Sequence, residues 1–429
     1  MRKIVKIVFL LLHVYVGLNA QSKKIVFPEI GKPLPNFAFN NMSDPNKSKI
    51  QLKDFDGKYL VLDFWSRGCG LCIQSFPKVN DIQQKYRDSL QVLLVGYLEK
   101  NGGLTVLFNK LKEKENLNLS VVYDSTYFNK VVPIGVPHLI WIDPTGIVKA
   151  ITGTDDFTDD NVKKFISGKN FEFYDTSYQA MIDRQNMTQK KSKEIESVDT
   201  SLLCSSSLSI WKSEDEPYYQ IPPRGKDHSF KLVGMSIKEM YSNAYLDVVN
   251  MVTDKIYWYP VLEVADTTKF DSSLAGKGRG MYTYQLFTNP KFAVGKELVK
   301  IMRSDLKKFF GYDAAIEEKM MPCIVLKVVD KNKTKLLMAK GNRKDSYWKN
   351  YMGGKLINWP LKDVALNLIG DLPHHPRIFD ETNITTNVNL EIHTLTTDFE
   401  SLRSAIQVYG LDLEKTKRLM KVLVIKDHS

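Results

Sequence analysis

Between residues 25 and 170, apolar runs of strand length alternate with segments whose apolar positions fall at helical spacing. Residues 59–65 (Tyr-Leu-Val-Leu-Asp-Phe-Trp) and 91–97 are near-continuous apolar runs, the pattern of strands buried on both faces. Residues 70–86 put Cys72, Phe76, Val79 and Ile82 at helical spacing, with Pro77 as an expected kink. A helical stretch at 104–111 and a short strand at 119–123 follow. Residues 138–142 and 147–151 flank Asp143-Pro144-Thr145-Gly146, a turn signal that predicts a hairpin. Thr158 is placed to cap a last helix through Ile166. Strands separated by helices predict a parallel or mixed sheet covered on both faces.

The pattern then changes. Residues 171–228 are polar around 187–207 and carry Pro217, Pro222, Pro223 and Gly225, which predicts a linker or irregular connection. Folded patterning resumes at Phe230. Ser236-Ile237-Lys238-Glu239 is a capping box opening a helix to Tyr245. Strands are expected at 256–264, 282–287 and 323–329, with an amphipathic helix at 298–310. Pro360, a favoured first helical residue, opens a further unit. It holds a helix at 361–369, a strand at 388–393, a helix at 399–409 and a final hairpin ending Val422-Leu423-Val424-Ile425. Residues 229–429 therefore read as α+β, divisible into 229–345 and 355–429, and no short-period repeat is visible.

Composition adds three constraints. Apolar content of 43% and charge of 25% are ordinary for globular protein, and 429 residues suffice for two or three cores. The net charge of +11 comes from scattered lysines interleaved with acids, so no nucleic-acid partner is expected. Arg2, Lys3 and Lys6 precede an apolar run at 7–16 that ends in Leu18-Asn19-Ala20, the layout of a secretory signal peptide spanning residues 1–20. The rival reading is an uncleaved anchor. Export would place the chain in the periplasm or cell envelope, where disulfides persist.

Of four cysteines, Cys69 and Cys72 form a Cys-x-x-Cys pair where a strand gives way to a helix. Unsatisfied N–H groups and the positive end of the helix dipole stabilise a thiolate there, so Cys69 is the candidate nucleophile. Cys72 can reach back and resolve the mixed disulfide, leaving a Cys69–Cys72 disulfide. A zinc half-site is the alternative, but Cys204 and Cys323 lack ligand spacing, so no metal and no cofactor are expected. A peroxidatic site would need Pro where Leu62 stands. Cys204 and Cys323 are either a structural disulfide or two free thiols. His374-His375 beside Pro376 reads as a surface turn for want of a third ligand.

Three spaced motifs over residues 25–170 resemble the thioredoxin superfamily, most closely its membrane-associated or periplasmic TlpA-type reductases, related to the AhpC/TSA group. They are Gly31-Lys32-Pro33-Leu34-Pro35-Asn36-Phe37, Phe64-Trp65-Ser66 before the cysteines, and Gly135-Val136-Pro137 before an apolar strand. The resemblance implies a thioredoxin-like α/β fold and thiol–disulfide oxidoreductase activity. It makes Pro137 the cis-proline facing the disulfide and gives Val136 a backbone contact to substrate, with Gly70 and Leu71 on the same substrate-facing surface. Asp63 becomes the buried acid below Cys72, able to take its proton. It also implies disulfide-bearing envelope proteins as substrates and a thiol-transporting membrane reductase as electron donor. Gly68 departs from the Trp common in the family, and Gly70-Leu71 departs from Gly-Pro, which leaves reductase, oxidant and isomerase directions open.

The C-terminal half resembles an uncharacterised family of soil-bacterial envelope proteins. The resembling segments are Gly234-Met235-Ser236-Ile237-Lys238-Glu239, the stretch from Met302 to Phe310, and Tyr409-Gly410-Leu411-Asp412-Leu413-Glu414. Residues 359–425 also resemble the small helix–strand modules of secretins and outer-membrane receptors. Docking to envelope proteins is the expected role, with Tyr257, Trp258, Tyr259, Tyr282 and Tyr284 either at a contact surface or in the core. The alternative function is an envelope binding or assembly protein that uses the thioredoxin domain as a scaffold.

Overall fold

A computed structural model describes residues 27–40, 49–99, 102–133, 135–195, 202–212, 218–219, 225–246, 256–257, 259–270, 280–339, 341, 343–348, 351–372 and 376–428. The expected signal peptide, Trp258 and the His374-His375 pair lie outside them. Among the described residues, no helix is long and apolar enough to cross a membrane.

The N-terminal part starts with a small ribbon, β1 (Ala38–Phe39) on β2 (Ile50–Gln51). Its main sheet has the order β5-β4-β3-β6-β7, from β3 (Tyr59–Trp65), β4 (Leu90–Gly96), β5 (Ser120–Tyr123), β6 (His138–Ile142) and β7 (Val148–Thr152). β3, β4 and β5 are parallel, whereas β6 and β7 are antiparallel to their neighbours. Helices α1 (Gly70–Lys85), α2 (Gly103–Lys114), α3 (Ser125–Val131) and α4 (Asp159–Ile166) connect and cover them. Side chains alternate across a strand, so the run at β3 feeds two cores. Val61 and Trp65 pack with Phe76 of α1, Phe108 of α2 and Phe165 of α4. Leu60, Leu62 and Phe64 pack on the opposite face with Phe37, Phe39, Tyr127 and Phe128. Apolar residues on both faces explain the unbroken hydrophobic run. The helix α1 continues through Pro77, and Thr158 caps α4 by accepting from Asn161 N–H.

The stretch expected to be a linker is structured in large part. Phe171 and Phe173 pack on the first core. Helix α5 (Tyr178–Ile195) follows, and β8 (Cys204–Ile210) pairs along its length with β12 (Met281–Thr288). The strand Cys-Ser-Ser-Ser-Leu-Ser-Ile gives a weak apolar signal because only Cys204 and Leu208 pack on the first C-terminal core, and its pairing with β12 supplies the rest.

The rest of the chain contains a duplication that the sequence pattern did not reveal. The first copy runs β10 (Ser229–Ser236), α6 (Ile237–Tyr245), β11 (Val261–Glu263), β12, α7 (Lys296–Phe310) and β13 (Tyr312–Val328). A short strand β9 (Tyr218–Tyr219) flanks it on β10. The second copy, flanked by β14 (Asp345–Ser346) on β15, runs β15 (Gly354–Pro360), α8 (Leu361–Ile369), β16 (Arg377–Asp380), β17 (Asn387–Ile392), α9 (Phe399–Gln407) and β18 (Leu411–Asp427). β10 pairs antiparallel with β12, and β15 with β17. Each pair is interrupted just before its helix by a bulge holding a left-handed residue, Gly234 (φ 67°) in one and Asn358 (φ 57°) in the other. Both long strands are entered from a glycine at φ 74°, Gly311 as the C-cap of α7 and Gly410 at the end of the turn that follows α9.

The copies interlock. β13 and β18 pair antiparallel over all 17 residues of each. This single long strand replaces the expected C-terminal hairpin. β11 of the first copy pairs in parallel with β18, while β16 of the second pairs in parallel with β13. Burial follows the same exchange. Ile324 and Leu326 of β13 belong to the second copy's core, and Leu423 and Ile425 of β18 to the first. Removing either long strand opens both cores, so the region is expected to unfold as one cooperative unit. Tyr284 is buried in the first core and donates to Asp305 Oδ2 at 2.8 Å, and Tyr282 packs against the same core, so these two serve packing and not a contact surface.

These two glycines give a differential prediction. A Cβ at Gly410 would stand 2.2 Å from the Asp330 carbonyl oxygen, whereas at Gly311 nothing lies within 4 Å. Gly311→Ala is expected to cost about 1–2 kcal/mol from the left-handed backbone alone. Gly410→Ala is expected to cost roughly 3 kcal/mol or more, because backbone must also shift. Urea denaturation of both variants checks this; equal losses would contradict it.

Candidate redox site

The site is built where β3 ends. Its last residues run into the turn Ser66-Arg67-Gly68, closed by Cys69 N–H donating to Ser66 O at 3.1 Å. Cys69 is the N-cap of α1, and its sulfur accepts from the backbone N–H of Cys72 at 3.2 Å. That bond puts Sγ of Cys69 among the unpaired N–H groups of the first helical turn, where negative charge is stabilised. Cys69 and Cys72 are joined as a disulfide with their Cα atoms 5.3 Å apart. Cys72 is fully buried, with Sγ 3.9 Å from the Phe64 carbonyl oxygen. Ser75 Oγ donates to the Cys72 carbonyl at 2.7 Å and ties down the turn after it.

The other residues singled out in the sequence fall around this pair as follows. The Val136–Pro137 peptide is cis. Val136 packs against the cluster that holds both cysteines. Gly70 and Leu71 start α1, and Leu71 projects into solvent. Asp63 lies on the β3 face shared by Val61 and Trp65, the face covered by α1. It is completely buried, and neither carboxylate oxygen has a hydrogen-bond partner among the described residues. Burial pushes its pKa from 3.8 up to about 8, so the carboxyl is protonated at neutral pH. Cys204 and Cys323 are free thiols, which decides that open question. Burial raises the pKa of both, so neither resembles an activated nucleophile.

Three contributors escaped the sequence reading. Arg67, within the turn, is ion-paired with Glu99, and its Nε donates to Oε1 at 3.1 Å, fixing the turn to the segment after β4. His138, directly after the cis peptide, is buried, and desolvation lowers its pKa to about 4. Most unexpected is Tyr351, from the second C-terminal copy, whose hydroxyl would stand 2.7 Å from a Cβ on Gly70. Tyr351 and Met352 pack against the cluster holding both cysteines, and Leu395 is buried within it. Cys69 is only 6% exposed, where the mechanism calls for a sulfur within reach of a client. No local pattern marks Tyr351, since its partner lies in a different part of the chain.

A disulfide capping the helix after a central parallel strand, in a domain that also carries a cis Val136–Pro137 peptide, is the arrangement of the thioredoxin-like fold. Residues 30–151 match the AhpC/TSA family. The thiol-disulfide oxidoreductase ResA of Bacillus cereus is 38% identical over 74 residues, covering 17% of this chain and 39% of that protein. ResA of Bacillus subtilis is 29% identical over 127 residues, covering 29% of this chain and 68% of that protein. The chain thus spans about two fifths of the first relative's length. Among solved structures, the thioredoxin domain of a thiol-disulfide oxidoreductase from Bacteroides vulgatus is 23% identical, covering 32% of this chain and 98% of that domain with a TM-score of 0.28.

Proposed function

We propose that this protein is an exported thiol–disulfide oxidoreductase that reduces or exchanges disulfides of envelope proteins. The observation that carries the reading is the disulfide between the N-cap Cys69 and the buried Cys72, at the positive end of α1. In the reduced chain, the Cys69 thiolate attacks one sulfur of a client disulfide and expels the other as a thiolate. The mixed disulfide is then attacked by Cys72, whose proton passes to a base. Asp63, on the covered side of β3, is that base in its ionised form. The second client sulfur leaves, the client has gained two electrons, and the chain carries the Cys69–Cys72 disulfide. A dithiol donor restores it, and a thiol-transporting membrane reductase fits that role. Val136, Pro137, Gly70 and Leu71 form the surface on which the client lies.

Residues 1–20 serve as the export signal in this reading, and the interlocked copies after residue 229 dock the enzyme to envelope proteins. The test is the full chain with Cys72→Ser. A protein disulfide such as insulin is expected to accumulate as a mixed disulfide on Cys69, released by dithiothreitol and located by peptide mass spectrometry. Absence of any adduct, together with no insulin reduction by the native chain above the dithiothreitol background, would sink the proposal.

The near-burial of Cys69 favours a second reading, an envelope binding or assembly protein whose redox domain is a scaffold. In that case a Cys69→Ser, Cys72→Ser double variant keeps its cellular role, which complementation measures directly.

A further inference from the structure

The turn that brings Tyr351 to the redox pair is held rigidly from its own side. Tyr351 has a left-handed backbone (φ 66°), and its N–H donates to Asp371 Oδ2 at 2.8 Å. Its carbonyl accepts from Thr396 N–H at 3.0 Å, and Thr396 Oγ1 donates to the same Asp371 Oδ2 at 2.6 Å. Thr396 is itself completely buried. Behind the turn, Gly353 and Gly354 are packed so closely that a Cβ would meet the Ile392 and Tyr347 carbonyl oxygens at 2.6 and 2.3 Å. This bracing fixes the Tyr351 backbone, the root of the ring, relative to the second copy.

The second copy is in turn seated on the redox domain. Leu395, from the loop after β17, is buried in the core shared by Cys69, Cys72, Phe76 and Leu107. Lys114, at the end of α2, pairs with Asp398, the N-cap of α9, at 3.2 Å. A partly exposed pair of this kind contributes little energy alone, but it lies beside the buried leucine and fixes the same approach. Gly70 is complementary from the redox side. Any side chain at that position would collide with the Tyr351 hydroxyl, and its backbone is not in the left-handed region that would otherwise demand glycine.

We infer that Tyr351 is a specificity-determining residue of the redox site, a screen at the start of α1 that passes small disulfides to Cys69 faster than bulky protein disulfides. The inference rests on the oxidoreductase reading for its biological meaning, but the screen itself is measurable without turnover. A small molecule needs only a narrow path to one sulfur. A folded client must lay several residues along the start of α1, where the Tyr351 ring stands. Large clients therefore require the second copy to shift, and the size of the substrate becomes a property of the C-terminal half.

The experiment compares native chain, Tyr351→Ala, Tyr351→Phe and Lys114→Glu after reduction. Labelling of Cys69 by iodoacetamide and by a polymer-tagged maleimide is followed by peptide mass spectrometry, which separates it from Cys204 and Cys323. In Tyr351→Ala the bulky reagent is expected to label about tenfold faster while iodoacetamide gains less than about threefold, since access governs exchange at a fixed thiolate. Tyr351→Phe keeps the ring and stays near native with both reagents. Lys114→Glu, a surface change that needs no repacking, moves in the same direction as Tyr351→Ala by unseating the copy. Native rates with both reagents in Tyr351→Ala and Lys114→Glu, or equal acceleration of the two reagents, would overturn the screen. Selective acceleration without insulin reduction by any of the four proteins would leave the screen standing and remove the oxidoreductase reading instead.

Discussion

Replacing Cys69 by serine is expected to lower insulin reduction by the full chain by at least about 10³-fold, to the uncatalysed background. The loss follows from the identity of the attacking atom. A serine hydroxyl at the N-cap keeps the hydrogen bond from the Cys72 N–H and so keeps the helix, but it offers no thiolate. Stability should therefore change little beyond the lost disulfide while turnover vanishes. Cys204→Ser and Cys323→Ser are the matching controls. Their thiols have raised pKa values from burial and stay neutral at pH 7, so turnover should be unaffected. Turbidity curves of insulin precipitation check all three. Activity surviving in Cys69→Ser but lost in a control would move the nucleophile to another cysteine.

The second large effect is at Asp63. Its carboxyl is protonated in the folded chain up to about pH 8 but ionises near pH 3.8 once unfolded. Between those values the folded state binds the extra proton, so stability declines as pH rises from 3.8 through 8. Asp63→Asn removes that dependence without changing the side chain's size. The variant should match native at pH 3.5. At pH 7 it should gain on the order of 4 kcal/mol, from about three pH units at 1.36 kcal/mol each. Urea denaturation at the two pH values measures the difference directly, and a gain independent of pH would contradict the linkage. Activity should move the other way. Losing the proton acceptor for Cys72 is expected to reduce turnover roughly 10²-fold and to erase an apparent pKa near 8 from the rate profile. Stability gained where catalysis is lost would mark the buried acid as a functional burden carried by the fold.

His138 acts on the opposite arm. Its folded pKa of about 4 lies below the ordinary 6.5, so its contribution is complete above pH 6.5 and is lost as pH falls through 4. Between pH 6.5 and 4 this loss opposes the stability gained by protonated Asp63, so it should show by itself in the Asp63→Asn background, where urea denaturation is expected to find stability falling with pH.

Much of the redox domain was readable along the chain because its signals are local. The β3 run is apolar on both faces, the Cys-x-x-Cys follows it at once, and the Asp143 turn makes its own hydrogen bonds to Thr145 and Ile147. The capping box at Ser236 and Glu239 is likewise closed between residues three apart, and both of its bonds are present. Elements held by distant partners were read less well. The strand β8 carries four serines and is defined by β12, and β13 was expected only over its apolar end. The middle of β13, Ile-Glu-Glu-Lys-Met-Met-Pro, is polar enough to resemble a loop. It is a strand because β18 supplies its hydrogen bonds residue by residue.

By itself the sequence determined the place of the Cys69–Cys72 pair, since a disulfide at a helix start requires only a strand, a turn and two cysteines three positions apart. It also determined seven of the described helices and most of the apolar strands, whose periodicity needs no knowledge of partners, but not α3 or the polar α5 inside the expected linker. Only the tertiary structure decided that the C-terminal half is two interlocked copies, because strand exchange is a matter of which edges meet and leaves no period in the chain. It alone placed Tyr351 over Gly70 and left Asp63 without a hydrogen-bond partner among the described residues. Contacts between residues far apart in sequence are set by packing, and packing is not written in any one segment.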